Sequence, residues 1–548
     1  MKRILIVGGV AGGATAAARL RRLDESAEII IFERGEHISY ANCGLPYYIG
    51  GTIPERANLL LQTPEGFRLR FNADVRIFNE VLSIDRATKT VTAVNRLTGE
   101  TYAEKYDKLI LAPGSAPVVP PVEGMDSGRV FTLRNVADAD KIKQYIKEAR
   151  PRRAAVIGGG FIGVEVAENL IESGLGVCIV EMADQVIPPL DKDVACEVHR
   201  YLRHNGVTLY LNNGLRKITE RGGGLTVEMA NGSFETDIAV LGIGVRPESG
   251  LAKASGLEVN ARGGIVVDKH MRTSDPDIYA VGDVAETIDF VTGQASMIPL
   301  AGPANKQARI AADHICGIPS EYAGTQGSSV IKVFKMTAAF TGVNEKTAKR
   351  LGLNYDKMYL WQPGHAGYYP GTAPMSMKVI FDRESGRILG AQLTGVDGVD
   401  KRCDVLATAI RAGMTARDLT GLELCYAPPY SSAKDPVNIA GYAIENVLAG
   451  KVRNIHWHDV DSLPRDGSVT LLDVRGRPDS ARNVVEGFVN IPLEELRNEL
   501  GGLDRSKTVY VICHSGMRSY NAVRILAQNG FDAYNICGGY RLYSAARE

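Results

Sequence analysis

The sequence lacks three features that would assign it to common protein classes. None of its eight cysteines forms a C-x-x-C pair, which argues against zinc ribbons and thioredoxin-type dithiols, and we expect no metal site. No apolar run approaches the roughly 18 residues of a membrane span. The 63 basic and 63 acidic residues cancel, so no net charge attracts nucleic acid or an anionic membrane. We therefore expect neither nucleic acid nor a membrane as a partner.

The chain is long and rich in glycine. Its 548 residues include 59 glycines, which predicts three or four domains with many tight turns. The N-terminus imitates a secretion signal, with Lys2 and Arg3 before an apolar stretch and three alanines at 16–18. Cleavage there would remove the glycine turn described next. We therefore expect a cytoplasmic protein.

A strand–glycine turn–helix unit begins the chain. An apolar strand over 4–7 precedes a glycine turn and an alanine-rich helix over 14–23, and a strand over 28–32 ends on Glu33. In such a unit the helix N-terminus faces a pyrophosphate and the carboxylate holds a ribose hydroxyl. Val10 replaces the usual middle glycine, so an ordinary strand–turn–helix is the alternative. The turn consists of Gly8, Gly9, Val10, Ala11, Gly12 and Gly13.

A second unit matches the dinucleotide-binding fingerprint fully. A strand over 154–157 precedes the turn, and a strand over 176–180 ends on Glu181. A carboxylate there accepts both ribose hydroxyls and repels a 2′-phosphate, and residues 182–185 contain no Arg or Lys to hold one. The pattern therefore predicts NADH over NADPH. The turn consists of Gly158, Gly159, Gly160, Phe161, Ile162 and Gly163.

Two later segments connect these units to a known family. Residues 106–114 are an apolar strand that ends in a Pro-Gly turn, and residues 277–283 are a strand that ends in Gly-Asp. With the two glycine turns, they resemble the flavoprotein disulfide reductases over residues 1–450. The resemblance implies that the first turn binds FAD and that the second binds the nicotinamide nucleotide. The further contacts that it implies are Glu33, Arg34, Asn42, Pro113, Gly114, Gly282, Asp283 and Ala301 for FAD, and Glu181 and Gly244 for NAD.

Cys43 is the predicted redox thiol. The dithiol members of the family carry two cysteines four residues apart in this segment, whereas this chain has Cys43 alone. Its partner sulfur must then be a flavin adduct, an oxidised sulfur or a bound substrate thiol. Gly44 and Pro46 predict a turn into a helix, whose N-terminal dipole would lower the pKa of the thiol. A buried structural cysteine is the ordinary alternative.

Ala11 separates two single-cysteine chemistries of this fold. NADH peroxidases and oxidases cycle a sulfenic acid and place a histidine in the first glycine turn, where this chain has Ala11. The segments 9–13 and 39–44 instead resemble the coenzyme A-disulfide reductases. That branch forms a mixed disulfide between its cysteine and coenzyme A.

One face of the first helix supports this branch. Thr15, Arg19 and Arg22 have the spacing i, i+4, i+7 and share a face. Two arginines there can grip a 3′-phospho-ADP group through bidentate hydrogen bonds, although a solvated basic face is the ordinary alternative. The coenzyme A contacts that the resemblance implies are Thr15, Arg19, Arg22, Ser39, Asn42, Asn305 and Lys434.

Two tyrosines of the third domain are candidate proton donors. Tyr368 lies in the segment 365–371 and Tyr426 in the segment 425–430. The branch is a homodimer that places two tyrosines of the partner subunit near the thiol, in place of a histidine acid. Their phenols can donate to a leaving thiolate, and aromatic core packing is the alternative.

A new pattern begins after residue 451. Strands are predicted over 469–474 and 508–512, and the second runs into Cys513 and a helix that ends at residue 528. Such a loop directs successive amides at the sulfur and stabilises a thiolate or persulfide. The segment 455–548 resembles a rhodanese domain with Cys513 as the sulfur carrier; a degenerate docking module is the alternative. Its loop continues through His514, Ser515, Gly516, Met517 and Arg518.

The sequence thus predicts an α/β protein with two Rossmann-like domains, an α+β dimerisation domain and an α/β rhodanese domain. The expected bounds are 1–112 and 244–322 for FAD binding, 113–243 for NAD binding, 323–450 for dimerisation and 455–548 for the rhodanese domain. The predicted activity is the NADH- and FAD-dependent reduction of coenzyme A persulfide, polysulfide or coenzyme A disulfide at Cys43, with Cys513 relaying sulfane sulfur. The alternatives are a module that delivers sulfur to a protein partner, and an NADH oxidase or peroxidase.

Overall fold

The computed structural model describes residues 2–547, which form two compact units. The first unit contains residues 2–186 and 206–327, and the second contains 187–205 and 328–547. The last residue of the predicted rhodanese segment lies outside the described residues. The helix Lys192–His204 groups with the second unit, although the sequence prediction placed it within the NAD-binding domain.

Two five-stranded parallel sheets form the centre of the first unit. Their inner strands are rich in Val, Ile, Leu and Ala and are mostly buried, as expected of parallel sheets covered on both faces. The first sheet has the order Ile278–Ala280, Lys108–Leu111, Arg3–Val7, Glu28–Glu33, Asp74–Ile77. The second has the order Thr208–Tyr210, Gly176–Val180, Arg153–Ile157, Ile238–Leu241, Val130–Thr132.

Each glycine turn lies at the carboxyl end of a central strand. The helix Ala11–Leu23 follows Arg3–Val7, and the helix Phe161–Glu172 follows Arg153–Ile157. This edge is where open parallel sheets bind ligands. The first helix begins at Ala11 rather than at the predicted residue 14, because Val10 is its N-cap and the last two glycines of the turn are already helical.

Smaller elements complete the first unit. Its other helices are Leu45–Ile49, Pro64–Phe71, Val136–Ala149, Gly250–Ala254 and Ala301–Ile315, with 3-10 turns at Asn42–Gly44, Arg56–Leu59 and Gly282–Val284. Two three-stranded antiparallel sheets consist of Asn79–Asp85, Thr90–Asn95 and Thr101–Lys105, and of Leu215–Arg221, Gly224–Met229 and Ser233–Thr236. The remaining strands are Ser115–Pro117 with Val245–Pro247, and Ile265–Val266 with Ala285–Ile288 and Ala295–Ser296.

The second unit contains two sheets of different kinds. An antiparallel sheet has the order Ser329–Val333, Met336–Gly342, Ile388–Gly395, Pro374–Asp382, Tyr355–Pro363. It is accompanied by the helices Lys192–His204, Glu345–Arg350, Val399–Arg411, Ala416–Thr420 and Pro436–Leu448. This combination is an α+β domain.

The C-terminal sheet is parallel. Its order is Asn454–Ile455, Ala533–Ile536, Val509–Ile512, Thr470–Asp473, Val489–Asn490. Its helices are Arg477–Arg482, Leu496–Glu499, Met517–Gln528 and Gly539–Ala545, with 3-10 turns at Trp457–Ser462 and Leu500–Gly502. The helix Arg477–Arg482, between the strands Thr470–Asp473 and Val489–Asn490, has only six residues. Across residues 2–547, we find no helix with the length and apolarity needed to cross a bilayer.

Candidate functional site

The two glycine turns have the same steric construction. A Cβ on Gly13 would stand 1.8 Å from the Gly8 carbonyl oxygen, and a Cβ on Gly163 would stand 2.0 Å from that of Gly158. Only glycine permits each helix to approach its strand this closely. At Gly160 the nearest atom to such a Cβ lies 3.9 Å away, so the backbone there is open to a ligand.

An acidic residue is fixed beside each turn in the same way. Glu33 accepts hydrogen bonds from the amides of Gly9 (2.9 Å) and Gly35 (2.7 Å). Glu181 accepts from Gly159 (2.7 Å) and Ala183 (2.8 Å). Each carboxylate oxygen has a further lone pair that can accept from a ribose hydroxyl. The two turns and the carboxylates of Glu33 and Glu181 therefore fit two dinucleotides, which is what the sequence pattern predicts.

A polar cluster surrounds Asp283 in the first unit. Its carboxylate accepts from the Ser115 hydroxyl at 2.7 Å and lies 3.4 Å from the Arg134 guanidinium. Arg134 also donates to the Ser115 carbonyl at 2.7 Å. The Asn42 amide, oriented to donate to the Arg134 carbonyl (3.0 Å) and to accept from its Nη1 (2.9 Å), joins this cluster to the Cys43 segment. The arrangement fits a flavin ribityl chain held by Asp283. Sequence reasoning missed Arg134 and Ser115, which lie outside the motifs.

Cys43 lies in the 3-10 turn Asn42–Gly44, directly before the helix Leu45–Ile49. The residue is solvent-accessible. Even so, partial desolvation raises the pKa of its thiol, and the carboxylates of Glu165 and Asp283 raise it further, against the lowering effect of Arg134. The lowered pKa predicted from a helix dipole is therefore not found. The helix has only five residues, and two negative charges oppose it.

The other predicted flavin and nicotinamide contacts occupy different environments. Arg34 is exposed and pairs with Glu248 at 2.6 Å. Gly282 donates its amide to Gln307 at 2.7 Å. Ala301 is the first residue of the helix Ala301–Ile315 and is exposed, as is Gly244. Half-buried positions are Gly8, Val10, Ala11, Pro113, Gly114, Gly160, Phe161 and Ile162, and Gly12, Gly13, Gly158 and Gly163 are buried.

The predicted coenzyme A face brings four of its residues onto two packed helices. The Thr15 hydroxyl donates to Asn305 at 2.8 Å, which places both at one helix–helix contact. Arg19 donates through Nε to the buried carboxylate of Asp313 at 2.7 Å. Its charge is therefore already paired within the protein. Arg22 is exposed, with its guanidinium 5.5 Å from the centre of the Phe71 ring.

Ser39 and Lys434 are placed differently. Ser39 has a left-handed backbone with φ of 47°, and its amide donates to the Gly9 carbonyl at 2.9 Å. The Cys43 segment is thereby tied to the first glycine turn. Lys434 is an exposed residue of the second unit. The coenzyme A contacts remain predictions.

Tyr368 and Tyr426 meet in the second unit. Their hydroxyl oxygens lie 3.0 Å apart, and both side chains are largely exposed. The hydrogen bond raises the pKa of Tyr368, so this phenol keeps its proton at neutral pH. The two residues are 58 positions apart, and the structure brings them together as a pair rather than as core packing.

Cys513 is buried at the start of the C-terminal loop. Its sulfur accepts from the Gly516 amide at 3.1 Å and lies 3.2 Å from the Ser519 hydroxyl. We expected several amides, whereas the structure supplies one amide and one hydroxyl. The amides of Tyr540 and Arg541 donate to the carbonyls of residues 513 and 514 at 2.8 and 2.9 Å. These bonds fix the loop, and together the contacts form a cradle for a thiolate or a persulfide.

The rest of the predicted loop surrounds this cradle. His514 and Met517 are exposed, whereas Ser515, Gly516 and Arg518 are half-buried. Partial desolvation lowers the pKa of His514, and the guanidinium groups of Arg541 and Arg518 lower it further. His514 is therefore neutral at neutral pH.

Family models match the chain in three consecutive parts. Residues 2–308 match the pyridine nucleotide-disulphide oxidoreductase model, 328–436 match the dimerisation domain of the same family, and 457–546 match the rhodanese-like domain. This chain belongs to the pyridine nucleotide-disulphide oxidoreductase family. It is an oxidoreductase of the family that depends on FAD and NAD(H), with a rhodanese domain fused at its C-terminal side.

Three relatives cover most or all of the chain. A coenzyme A disulfide reductase from Staphylococcus aureus is 37% identical over 444 residues, 81% of this chain and 99% of the relative. The crystal structure of reduced Bacillus anthracis CoADR-RHD is 51% identical, with a TM-score of 0.97 over 100% of this chain and 98% of that one. A NAD-dependent persulfide reductase from A. fulgidus is 38% identical, with a TM-score of 0.92 over 99% and 100%. The α/β fold class and the family are thus those that the sequence predicted.

Proposed function

We propose that the protein is an NADH-dependent reductase of coenzyme A-bound sulfur in which Cys43 is the working thiol. The proposal rests on the absence of a second cysteine near Cys43 in the sequence. Cys43 is the only cysteine in the first 177 residues, and it is solvent-accessible beside the Asp283 cluster. In this proposal its disulfide partner comes from a substrate. The related coenzyme A disulfide and persulfide reductases favour a coenzyme A sulfur.

The thiolate of Cys43 attacks the carbon-bound sulfur of coenzyme A persulfide. A disulfide forms between Cys43 and coenzyme A, and hydrosulfide leaves; with coenzyme A disulfide, the leaving group is the coenzyme A thiolate. FAD, held by the first glycine turn and Asp283, would supply the electron pair from NADH that cleaves the mixed disulfide. Cys43 then returns to its thiolate, and coenzyme A leaves as the second thiolate.

We assign supporting roles to the residues of the two units. Thr15, Arg22 and Asn305 contact the coenzyme A nucleotide, while Arg19 contributes charge through its pair with Asp313. The functional state is a homodimer, in which the phenols of one protomer protonate the leaving thiolate at the partner's Cys43 site. The exposure of Tyr368 in a single chain, 76%, supports this arrangement.

The Cys513 thiolate attacks the outer sulfur of thiosulfate, sulfite leaves as the S–S bond breaks, and the persulfide that forms passes its outer sulfur to coenzyme A. The cradle of the Gly516 amide and the Ser519 hydroxyl stabilises the terminal persulfide. The thiol of coenzyme A attacks its outer sulfur, so that coenzyme A persulfide forms and the Cys513 thiolate is regenerated. Fusion of this sulfur carrier to the reductase favours a persulfide over a disulfide substrate, because cleavage of coenzyme A disulfide does not involve a sulfur carrier.

The mass of the group attached to Cys43 in the purified protein tests this function. We expect a coenzyme A adduct that NADH releases. A bare sulfenic acid would instead support an NADH oxidase or peroxidase. Stable capture of a protein partner at Cys513, with slow turnover of small persulfides, would support a sulfur-delivery module.

The variant Cys43→Ser should reduce NADH-dependent turnover of coenzyme A persulfide by at least about 1000-fold, because the nucleophile is lost. Cys425→Ser, which removes another exposed thiol, is the matched control and should retain full activity. Cys513→Ser should abolish turnover driven by thiosulfate while sparing preformed coenzyme A persulfide. Full activity of Cys43→Ser would overturn the proposal.

A further inference from the structure

The two ends of the loop that carries Tyr368 are hydrogen-bonded to each other. The Gly364 amide donates to the Ala373 carbonyl at 3.0 Å, which pairs the two ends of the loop. Inside it, the Thr372 hydroxyl donates to the His365 carbonyl at 3.2 Å. Tyr368 itself is exposed at the tip. The position of the Tyr368 hydroxyl therefore depends on the contacts between this loop and the residues packed against it.

The ring of His365 lies beneath this loop and is buried. Its Nδ1 is 2.8 Å from the Asp397 carboxylate, and its Nε2 is 3.3 Å from the Pro370 carbonyl oxygen. Tyr369 packs edge-on against the ring at 5.7 Å. Both polar partners are acceptors only, so both ring nitrogens must carry a proton to bond them. An imidazolium satisfies both contacts and links Asp397 to the far side of the Tyr368 loop.

The loop that carries Tyr426 is attached to the same framework. The Ala366 amide donates to the Pro428 carbonyl at 3.3 Å, and this bond joins the two loops. The buried Arg402 pairs with Asp435 at 3.0 Å. Through another nitrogen it donates to the Gly398 carbonyl at 3.2 Å, next to Asp397. The hydroxyl oxygens of the two phenols lie 3.0 Å apart. The contacts made by His365 and by Arg402, which hold the two loops, both reach the turn 397–398.

We infer that His365, clamped by Asp397, is a positioning residue for the Tyr368–Tyr426 phenol pair. The inference rests on the proposed function, in which these phenols protonate the leaving thiolate. His365 touches neither substrate nor cofactor in this assignment. It acts by fixing the distance and direction of the two hydroxyls, on which proton donation depends steeply.

The charge of the His365 ring depends on pH. The groups that face the His365 ring are the Asp397 carboxylate and the Tyr369 phenol, with the Arg402 guanidinium beyond the Gly398 carbonyl. The hydrogen bond to Asp397 raises the pKa of His365, and desolvation opposes it only in part. The imidazolium is therefore present at and below the ordinary histidine range. As pH rises through its raised pKa, the ring loses one proton and one of its two bonds.

The test uses the holoenzyme with coenzyme A disulfide as the probe. We expect His365→Asn and Asp397→Asn to lower kcat about 10-fold, below the 100-fold or more expected when a proton donor is lost. The rate of flavin reduction by NADH should not change, because that half-reaction needs no phenol. Asp400→Asn, which removes an exposed carboxylate three residues further on, is the matched control and should behave as native. In a Tyr368→Phe background, His365→Asn should add almost nothing.

The pH profile of kcat separates positioning from general loss of structure. Native enzyme should lose activity on the alkaline side as His365 deprotonates. Asp397→Asn should move that limb to lower pH, because the carboxylate that raises the pKa of His365 is gone. Even if His365→Asn fails to fold, this shift tests the inference.

Two failures are distinguishable. If Tyr368→Phe and Tyr426→Phe both turn over coenzyme A disulfide at the native rate, the phenols are not proton donors and the proposed function loses that step, together with this inference. If those variants are slow but Asp397→Asn keeps native kcat and an unmoved alkaline limb, the positioning role alone is overturned.

Discussion

At the scale of single residues, the protonation state of Cys43 depends on Glu165, a carboxyl group on the helix Phe161–Glu172. Burial raises the pKa of Glu165 to about 7; the Tyr47 hydroxyl, which donates to it at 3.4 Å, lowers that pKa, and Glu168 raises it. The charge on Glu165 therefore appears near neutral pH. Once present, that charge raises the pKa of the Cys43 thiol and disfavours the nucleophilic thiolate.

We expect Glu165→Gln to shift the alkylation of Cys43 to lower pH. Glutamine keeps the shape of the side chain and removes its charge, so the difference from native should be small below pH 6 and should grow as pH rises through about 7. The measurement is the rate of iodoacetamide modification of Cys43 in NADH-reduced holoenzyme, followed by mass spectrometry across pH. Glu172→Gln, an exposed change two turns further along the same helix, should leave the profile unmoved. A Glu165→Gln profile that coincides with native would show that this charge does not act on the thiol.

At the scale of elements, the loop between the strand Val509–Ile512 and the helix Met517–Gln528 determines the reactivity of Cys513. Ser519 lies in the first turn of that helix, is fully buried, and its hydroxyl reaches both the sulfur (3.2 Å) and the Gly516 carbonyl (3.1 Å). A hydroxyl has one proton to donate, and a charged sulfur is the stronger acceptor. The bond to sulfur therefore forms when the thiolate or persulfide does.

Ser519→Ala should lower thiosulfate sulfurtransferase activity by roughly 10- to 150-fold, because a hydrogen bond to a charged group contributes roughly 1.5–3 kcal/mol. Ser515→Ala removes a hydroxyl from the same loop that, among the described residues, makes no bond to the sulfur, and it should retain nearly full activity. The rate of cyanide-dependent sulfur release from the loaded protein measures both. Equal activities for the two variants would contradict the role of Ser519.

The contacts that sequence reasoning predicted lie within recognised motifs, and those that it missed depend on backbone detail or on tertiary packing. Gly9 and Glu33, 24 residues apart, belong to one strand–turn–helix–strand unit whose geometry is fixed locally. Ser519 lies only six residues from Cys513, yet its contact depends on the loop backbone, and the motif gives no signal for it. Lys378 meets Asp193 across 185 residues. No periodicity or spacing reports such a pair, because only the packed sheet and helix bring them together.

At the scale of the whole molecule, that pair belongs to a buried charge network in the second unit. Lys378 is fully buried and contacts the carboxylates of Asp191, Asp193 and Glu345 at 3.0, 3.0 and 2.7 Å. The indole of Trp457, at the start of the rhodanese domain, donates to Asp193 at 3.3 Å. The network therefore joins the rhodanese domain, the antiparallel sheet and the helix Lys192–His204, and it explains why that helix groups with this unit.

The protonation states of the network follow from the same contacts. Burial opposes the ionisation of Asp193 and Glu345, but the Lys378 ammonium outweighs it and holds the pKa of both carboxyls below their ordinary values. Groups with depressed folded-state pKa values contribute stability above their unfolded pKa of about 4, and this contribution is lost as pH falls through the folded-state value. At neutral pH the contribution is complete.

Lys378→Met should therefore destabilise the second unit strongly at neutral pH, by about 3–5 kcal/mol, because three buried carboxylates lose their shared cation. Lys349→Met is the matched control: it also removes an ammonium from Glu345, at 2.9 Å, but Lys349 is 62% exposed, so its cost should stay below about 1 kcal/mol. Both tryptophans of the chain, Trp361 and Trp457, lie in this unit, so tryptophan fluorescence during guanidinium denaturation reports it directly. The difference between Lys378→Met and native should shrink as pH is lowered toward 4, since protonation of the carboxylates relieves the variant and removes the advantage of the native network. A Lys378→Met midpoint equal to that of Lys349→Met, or a difference that widens in acid, would show that the buried cation does not hold the rhodanese domain and the sheet together.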